Sequence, residues 1–149
     1  MTLTTLEFLR LVVPEQGWKI VSIDRGQGRW QDLDAGQTHE EMAATIEANK
    51  NKLANIYHAN GGFVKSTRRG EEKTYRTAKS VVYLKALWLD LDVQKESGES
   101  YDSQAAAFQA FKGFVKASRI PHPNLLVSSG KGIHIYWCFD ADVDAARWQ

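Results

Sequence analysis

Two short stretches carry residue types that could do chemistry together. The first is Leu87-Trp88-Leu89-Asp90-Leu91-Asp92-Val93. Read as a β-strand, it puts Leu87, Leu89, Leu91 and Val93 on one face and Trp88, Asp90 and Asp92 on the other. Two aspartates spaced by two then project the same way, with Cα atoms roughly 6–7 Å apart. Such a pair can chelate one hard cation or bridge two, and repulsion between like charges this close makes a cation their natural partner. The plainer reading is an exposed acidic strand edge, although carboxylates are depleted from strands and gain little there without a partner. Trp88 is read as packing at the edge of the site.

The second stretch is Ser128-Ser129-Gly130-Lys131-Gly132-Ile133-His134. Two glycines one residue apart permit a tight turn whose backbone N–H groups converge into a small anion nest, with Lys131 adding charge at its tip. His134, second on the outgoing strand, shares a face with Tyr136 and Cys138 and can donate to a phosphate oxygen. Each part alone is ordinary, since a Gly-x-Gly turn is usually a hairpin and a strand histidine usually structural. Neither the Walker pattern nor the dinucleotide fingerprint is present.

The elements that would position these groups can be read from capping and periodicity. Thr4 with Glu7 and Thr38 with Glu41 have capping-box spacing, opening helices that end at Pro14 and about Leu53. Trp18–Ile23 and Asn55–His58 read as strands, the second stopped by Asn60-Gly61-Gly62, and Gly26, Gly28 and Gly36 punctuate a loop. The segment after Gly62 is expected to be a mobile loop or a hairpin. Val81–Val93 is the strongest strand signal. A helix over Ser103–Ala117 follows, with Phe108, Phe111, Phe114 and Val115 on one stripe. Leu125–Val127 and Ile133–Phe139 read as strands. Asp140, Asp142 or Asp144 is expected to cap a final helix cut short by the chain end. The fold class expected is α+β: a mixed or antiparallel sheet with flanking helices. Its parts would be an N-terminal α/β lobe over 1–80 and an RRM-like strand-helix-strand-strand core over 81–149, truncated at its C-terminus.

Bulk properties narrow the class. The chain has 149 residues, 43% hydrophobic and 25% charged, which suits a globular protein with a core. No apolar run is long enough to span a bilayer, no secretory signal opens the chain, and a lone Cys138 excludes an internal disulfide and a cysteine-based zinc site, so a cytosolic protein is expected. Net charge is only +1, but Lys65 to Lys85 holds seven basic residues against Glu71 and Glu72. A basic segment followed by an acidic one suits a polyanion lying beside a metal site, as well as it suits a solvated loop.

In combination these features resemble the archaeo-eukaryotic primase superfamily, most closely its phage and plasmid primase-polymerase branch. The resemblance rests on Leu87–Val93, on Ile120-Pro121-His122-Pro123 and on Val127–Trp137, with a fainter likeness at Phe8–Pro14 and Ile56–Ala59. It implies a split core with an active site between two lobes, and template-directed nucleotidyl transfer with Mg2+ or Mn2+. Asp90 and Asp92 match the family's metal pair, and Ser129, Gly130, Lys131, Gly132 and His134 its nucleotide-phosphate motif. Nucleoside triphosphates, a single-stranded DNA template and a possible helicase are the partners implied. Arg76 and Lys79 would contact template, with Tyr57 and His58 lining the same groove or packing at a strand end; Lys95 could reach phosphate. The family also uses a third carboxylate. Asp140 shares a strand face with His134 but stands roughly 20 Å along it, so that ligand is expected to be missing and the piece alone to be impaired in catalysis.

The same residues bear on other functions. In a haloacid-dehalogenase-like phosphatase Asp90 would be nucleophile and Asp92 acid, but Val93-Gln94-Lys95 stands where Gly-Thr is expected. A non-catalytic RRM-like module would stack bases on Trp88 and Tyr136. A rolling-circle nicking enzyme needs a His-x-His pair, and His134-Ile135-Tyr136 supplies one histidine.

Overall fold

The structure, a computed structural model, describes residues 2–26, 29–51, 55–68, 70–93, 100–130 and 132–148. The protein is α+β, with three α-helices and antiparallel strand pairs among the described residues. It divides into two compact units, Met1–Lys85 with Phe139–Gln149, and Ala86–Cys138. The parts expected from sequence were 1–80 and 81–149.

In the first unit, helix α1 (Thr5–Val12) and helix α2 (His39–Asn49) each begin at a complete capping box, on Thr4 and Glu7 and on Thr38 and Glu41. Each threonine takes an otherwise orphaned N–H while its glutamate returns the bond, holding the glutamate pKa low. Strands β1 (Ile20–Asp24), β2 (Trp30–Asp34) and β3 (Asn55–His58) form an antiparallel sheet in the order β2-β1-β3. Central β1 is buried over Ile20–Ile23. Edge strand β2 lies where a loop was expected; its Trp-Gln-Asp-Leu-Asp sequence has weak strand propensity, and pairing to β1 supplies what propensity does not. Gly61–Phe63 forms strand β4 instead of a stop, because β4 pairs with Val81–Leu84. The basic segment is a hairpin, β5 (Lys65–Arg68) against β6 (Glu71–Thr74).

Lys19 is fully buried, and its ammonium donates to the carbonyls of Gly17 (2.7 Å), Glu15 (3.0 Å) and Gln16 (3.4 Å). Burial lowers its pKa, partly opposed by Asp142 and Glu15. Asp142 accepts from the backbone N–H of Gln16 (2.8 Å) and Glu15 (3.0 Å). It therefore caps no helix: strand β9 (Gly132–Asp144) runs past Phe139 to Asp144, and a 3-10 turn, Ala145–Trp148, follows. The expected final helix is replaced by strand because Asp142 is spent on the 15–16 backbone, while Asp144 accepts from the Ala146 N–H.

In the second unit, the end of strand β7 (Val81–Asp92) is followed by helix α3 (Gln104–Ser118), strand β8 (Leu125–Ser128) and β9. The strand order is β7-β9-β8, with β9 between the two strands joined by the helix. Ser103 caps α3 by accepting from Ala106 N–H, and Arg119 ends it in the left-handed conformation, φ 57°. Phe111 and Val115, one turn apart, pack on Ile135 together with Leu91, Ile133 and Trp137. The buried stripe is Ala107, Phe111 and Val115; Phe108 and Phe114 flank it and stay exposed, because only the i, i+4, i+8 row meets the sheet. Fully burying a residue such as Ile135 contributes about 1.5–3 kcal/mol. Leu91 belongs to this core and Val93 is buried, whereas Leu87 and Leu89 on the same strand face are exposed.

Candidate functional site

Asp90 and Asp92 stand two apart on β7, and Ile133, Ile135 and Trp137 of β9 turn toward α3. Strand alternation sends His134 and Tyr136 to the opposite face, where His134 Nε2 lies 3.5 Å from Asp90 Oδ1. That is ion-pair range but longer than a good hydrogen bond, so the contact is one an incoming group could replace. Both side chains are accessible, Asp90 at 53% and His134 at 37%. Behind them Tyr136 is buried, its ring edge-on to His134 with centroids 6.5 Å apart. Burial, and then the Asp90 charge, push the Tyr136 hydroxyl up to about 12, so it stays a neutral phenol at physiological pH. A ring 2% exposed is no base-stacking platform, which corrects the expectation for Tyr136; Trp88 is half exposed.

The register that brings His134 to Asp90 depends on Gly132. A Cβ built there would meet Leu91 O at 2.6 Å, so only glycine lets β9 start this close to β7. Gly130 serves differently: its φ of 87° makes the turn, and nothing stands near its missing side chain. Within the turn Ser129 N–H donates to Gly132 O at 3.1 Å. That N–H is therefore already used, which removes one donor from the expected anion nest. Lys131, expected at the tip, and Lys95 lie outside the described residues.

Gln104, at the first position of α3, was not singled out by sequence. Its side-chain nitrogen lies within hydrogen-bond reach of Ser128 Oγ (3.1 Å), Gly132 O (3.1 Å) and Gly130 O (3.3 Å), tying the turn to the helix start. A polar residue just after the Ser103 cap was the only available signal, and it says nothing of the target. On the other side of the couplet, Tyr101 N–H donates to Asp92 O at 3.0 Å.

A second Asp-x-Asp shows what the structural version of the motif looks like. On β2, Asp32 accepts from Ser22 Oγ (2.6 Å) and faces Arg76 at 3.7 Å. Asp34 accepts from Thr74 Oγ1 (3.0 Å) and faces Lys65 at 3.5 Å. Cations and hydroxyls already satisfy that couplet, whereas the partner found for the Asp90 carboxylate is His134. Among the described residues no three His, Cys, Asp or Glu side chains are grouped so as to hold a metal ion. Two carboxylates nevertheless suit Mg2+, which keeps several waters and commonly takes one or two carboxylates plus substrate phosphate.

The residues expected to contact nucleic acid lie in the first unit. Arg76 lies 3.7 Å from Asp32 and 6.0 Å from the Trp30 ring centroid, with its side chain 43% exposed. Tyr57 is exposed and packs at a tilt against Trp30, with centroids 5.1 Å apart and ring planes at 51°. His58 packs edge-on against Phe8, and Lys79 is exposed. Asp140 lies exposed on β9.

No known family, curated protein or solved structure matches this chain. Among the described residues no helix is long and apolar enough to cross a membrane.

Proposed function

We propose that residues 86–138 are the metal- and nucleotide-binding part of a primase-polymerase, a nucleotidyl transferase serving phage or plasmid DNA replication. The observation that carries this reading is the 3.5 Å approach of His134 to Asp90 on one accessible face, from adjacent strands β9 and β7, with β9 entered through the glycine turn after β8. An acidic couplet beside an imidazole suits a triphosphate, whose charge needs both a cation and a hydrogen-bond donor. Asp90 and Asp92 would hold Mg2+ or Mn2+, which when bound neutralises the triphosphate and polarises the attacking hydroxyl. His134 would donate to a phosphate oxygen in place of Asp90, and the Ser129–Gly132 turn would border the phosphates. Tyr136 keeps the floor of the site neutral. Arg76, Lys79 and Tyr57 are the first unit's proposed contacts to a single-stranded template, and a helicase is a proposed partner.

With only two carboxylates, metal and nucleotide should bind together better than either does alone, each completing the other's coordination. The test is titration of a fluorescent nucleoside triphosphate with and without Mn2+, on the parent chain and on Asp90→Ala/Asp92→Ala. Affinity should depend on Mn2+ and drop at least about tenfold in the double variant. Equal affinity in the two proteins rejects the assignment.

A further inference from the structure

On the helix side of the second unit, away from the face that carries Asp90 and His134, α3 and β8 enclose an open groove of about 620 Å3. Its floor is apolar, built from Phe111, Val115 and Leu126, and its rim is basic, built from Lys112, Lys116 and Arg119. The pattern follows from helical spacing: Phe111, Val115 and Arg119 form one i, i+4, i+8 row, and Lys112 and Lys116 lie on the adjacent row. We propose that this groove docks a short acidic segment of a partner protein, one carrying an aromatic or large aliphatic residue beside a run of carboxylates.

Charge is the first argument. From Ser103 to Phe139 the sequence contains no aspartate or glutamate, so nothing local balances the rim. Among the described residues no ion pair involves Lys112, Lys116 or Arg119. Shape is the second. Lys112 to Arg119 spans roughly 10 Å of helix, which matches several carboxylates spaced along an extended peptide better than the single headgroup of a fatty acid. Leu126 is 47% exposed within an apolar floor, leaving surface for an anchor side chain to cover.

Backbone strain is the third argument. Arg119 is the sole non-glycine residue with positive φ among the described residues, and it stands where helices commonly end in glycine. Lysine and arginine in a last turn do complement the helix dipole, but that need is met without accepting a left-handed arginine. A nucleic acid suits the groove less well. The exposed ring in its lining, Phe108, already has Lys112 Nζ 5.8 Å from its centroid, and a mostly apolar floor offers little to phosphates.

The test uses the full chain and a fluorescein-labelled peptide of consecutive aspartates ending in phenylalanine, followed by anisotropy at low and high salt. Binding should weaken with salt, fall at least about tenfold in Lys112→Glu/Lys116→Glu, and fall several-fold in Leu126→Ser. All three positions are exposed, so circular dichroism should show an intact fold. Arg119→Gly should raise the melting temperature while weakening the peptide, a combination that a purely structural cap cannot produce. Equal affinity for a peptide lacking the phenylalanine would overturn the proposal. So would unchanged binding in the double lysine variant. A single-stranded oligodeoxynucleotide that binds there while the peptide does not would overturn it too.

Discussion

Replacing Gly132 by alanine would place a methyl carbon 2.6 Å from the Leu91 carbonyl oxygen, about 0.8 Å inside ordinary contact at 3.4 Å. The obstacle is backbone of the neighbouring strand, which cannot rotate away as a side chain could. Relief requires the start of β9 to back off from β7, and His134, two residues on, would move from Asp90 with it. Overpacking of this kind costs about 1–3 kcal/mol. Gly130→Ala should cost a similar amount, about 1–2 kcal/mol, but for a different reason: its φ of 87° disfavours any Cβ while the surrounding space is open. Asparagine separates the two causes, because it tolerates the left-handed region but still carries a Cβ. Urea denaturation should show Gly130→Asn close to the parent and Gly132→Asn as impaired as Gly132→Ala. Metal-dependent nucleotide binding should follow the same order, falling in both Gly132 variants. If Gly132→Ala unfolds at the parent's urea concentration and binds nucleotide equally well, the close strand approach is not what sets the site's register.

Other consequences can be checked separately. Because the Tyr136 hydroxyl is raised to about 12 in the fold against 10.0 ordinarily, its contribution to stability is complete below pH 10 and is lost as pH climbs through 12. The loss totals about 2–3 kcal/mol, and Tyr136→Phe should remove that slope from urea midpoints measured between about pH 9 and pH 12. Lys19→Met keeps the buried stem but leaves the carbonyls of residues 15–17 without their donor, and should cost about 2–4 kcal/mol by the same denaturation. Gln104→Ala should cost about 1 kcal/mol or less, yet speed amide hydrogen exchange at Ser129 and weaken nucleotide binding, since it frees the turn from α3. An unchanged exchange rate there would argue that the turn holds itself.

Local signals in the sequence determined much of this protein. Both capping boxes, the strand through Asp90 and Asp92, the Ser103 helix and the glycine turn are written in residues a few positions apart, where short-range sterics and hydrogen bonding decide the outcome. Alternation along β7 and β9 placed Asp90 and His134 each on one face of its own strand, and the pairing of the two strands brought those faces together. Tertiary structure decided what depends on partners distant in sequence. Strand β2 exists because β1 pairs with it, and β9 continues to Asp144 while Asp142 serves the 15–16 backbone instead of a helix. It also distinguished the two Asp-x-Asp couplets, identical in spacing: Asp32 and Asp34 meet Arg76, Lys65 and hydroxyls, whereas Asp90 meets an imidazole. Spacing along a strand fixes where a carboxylate points, but only the fold sets which charges it faces, and those charges govern whether it stays free to take a ligand.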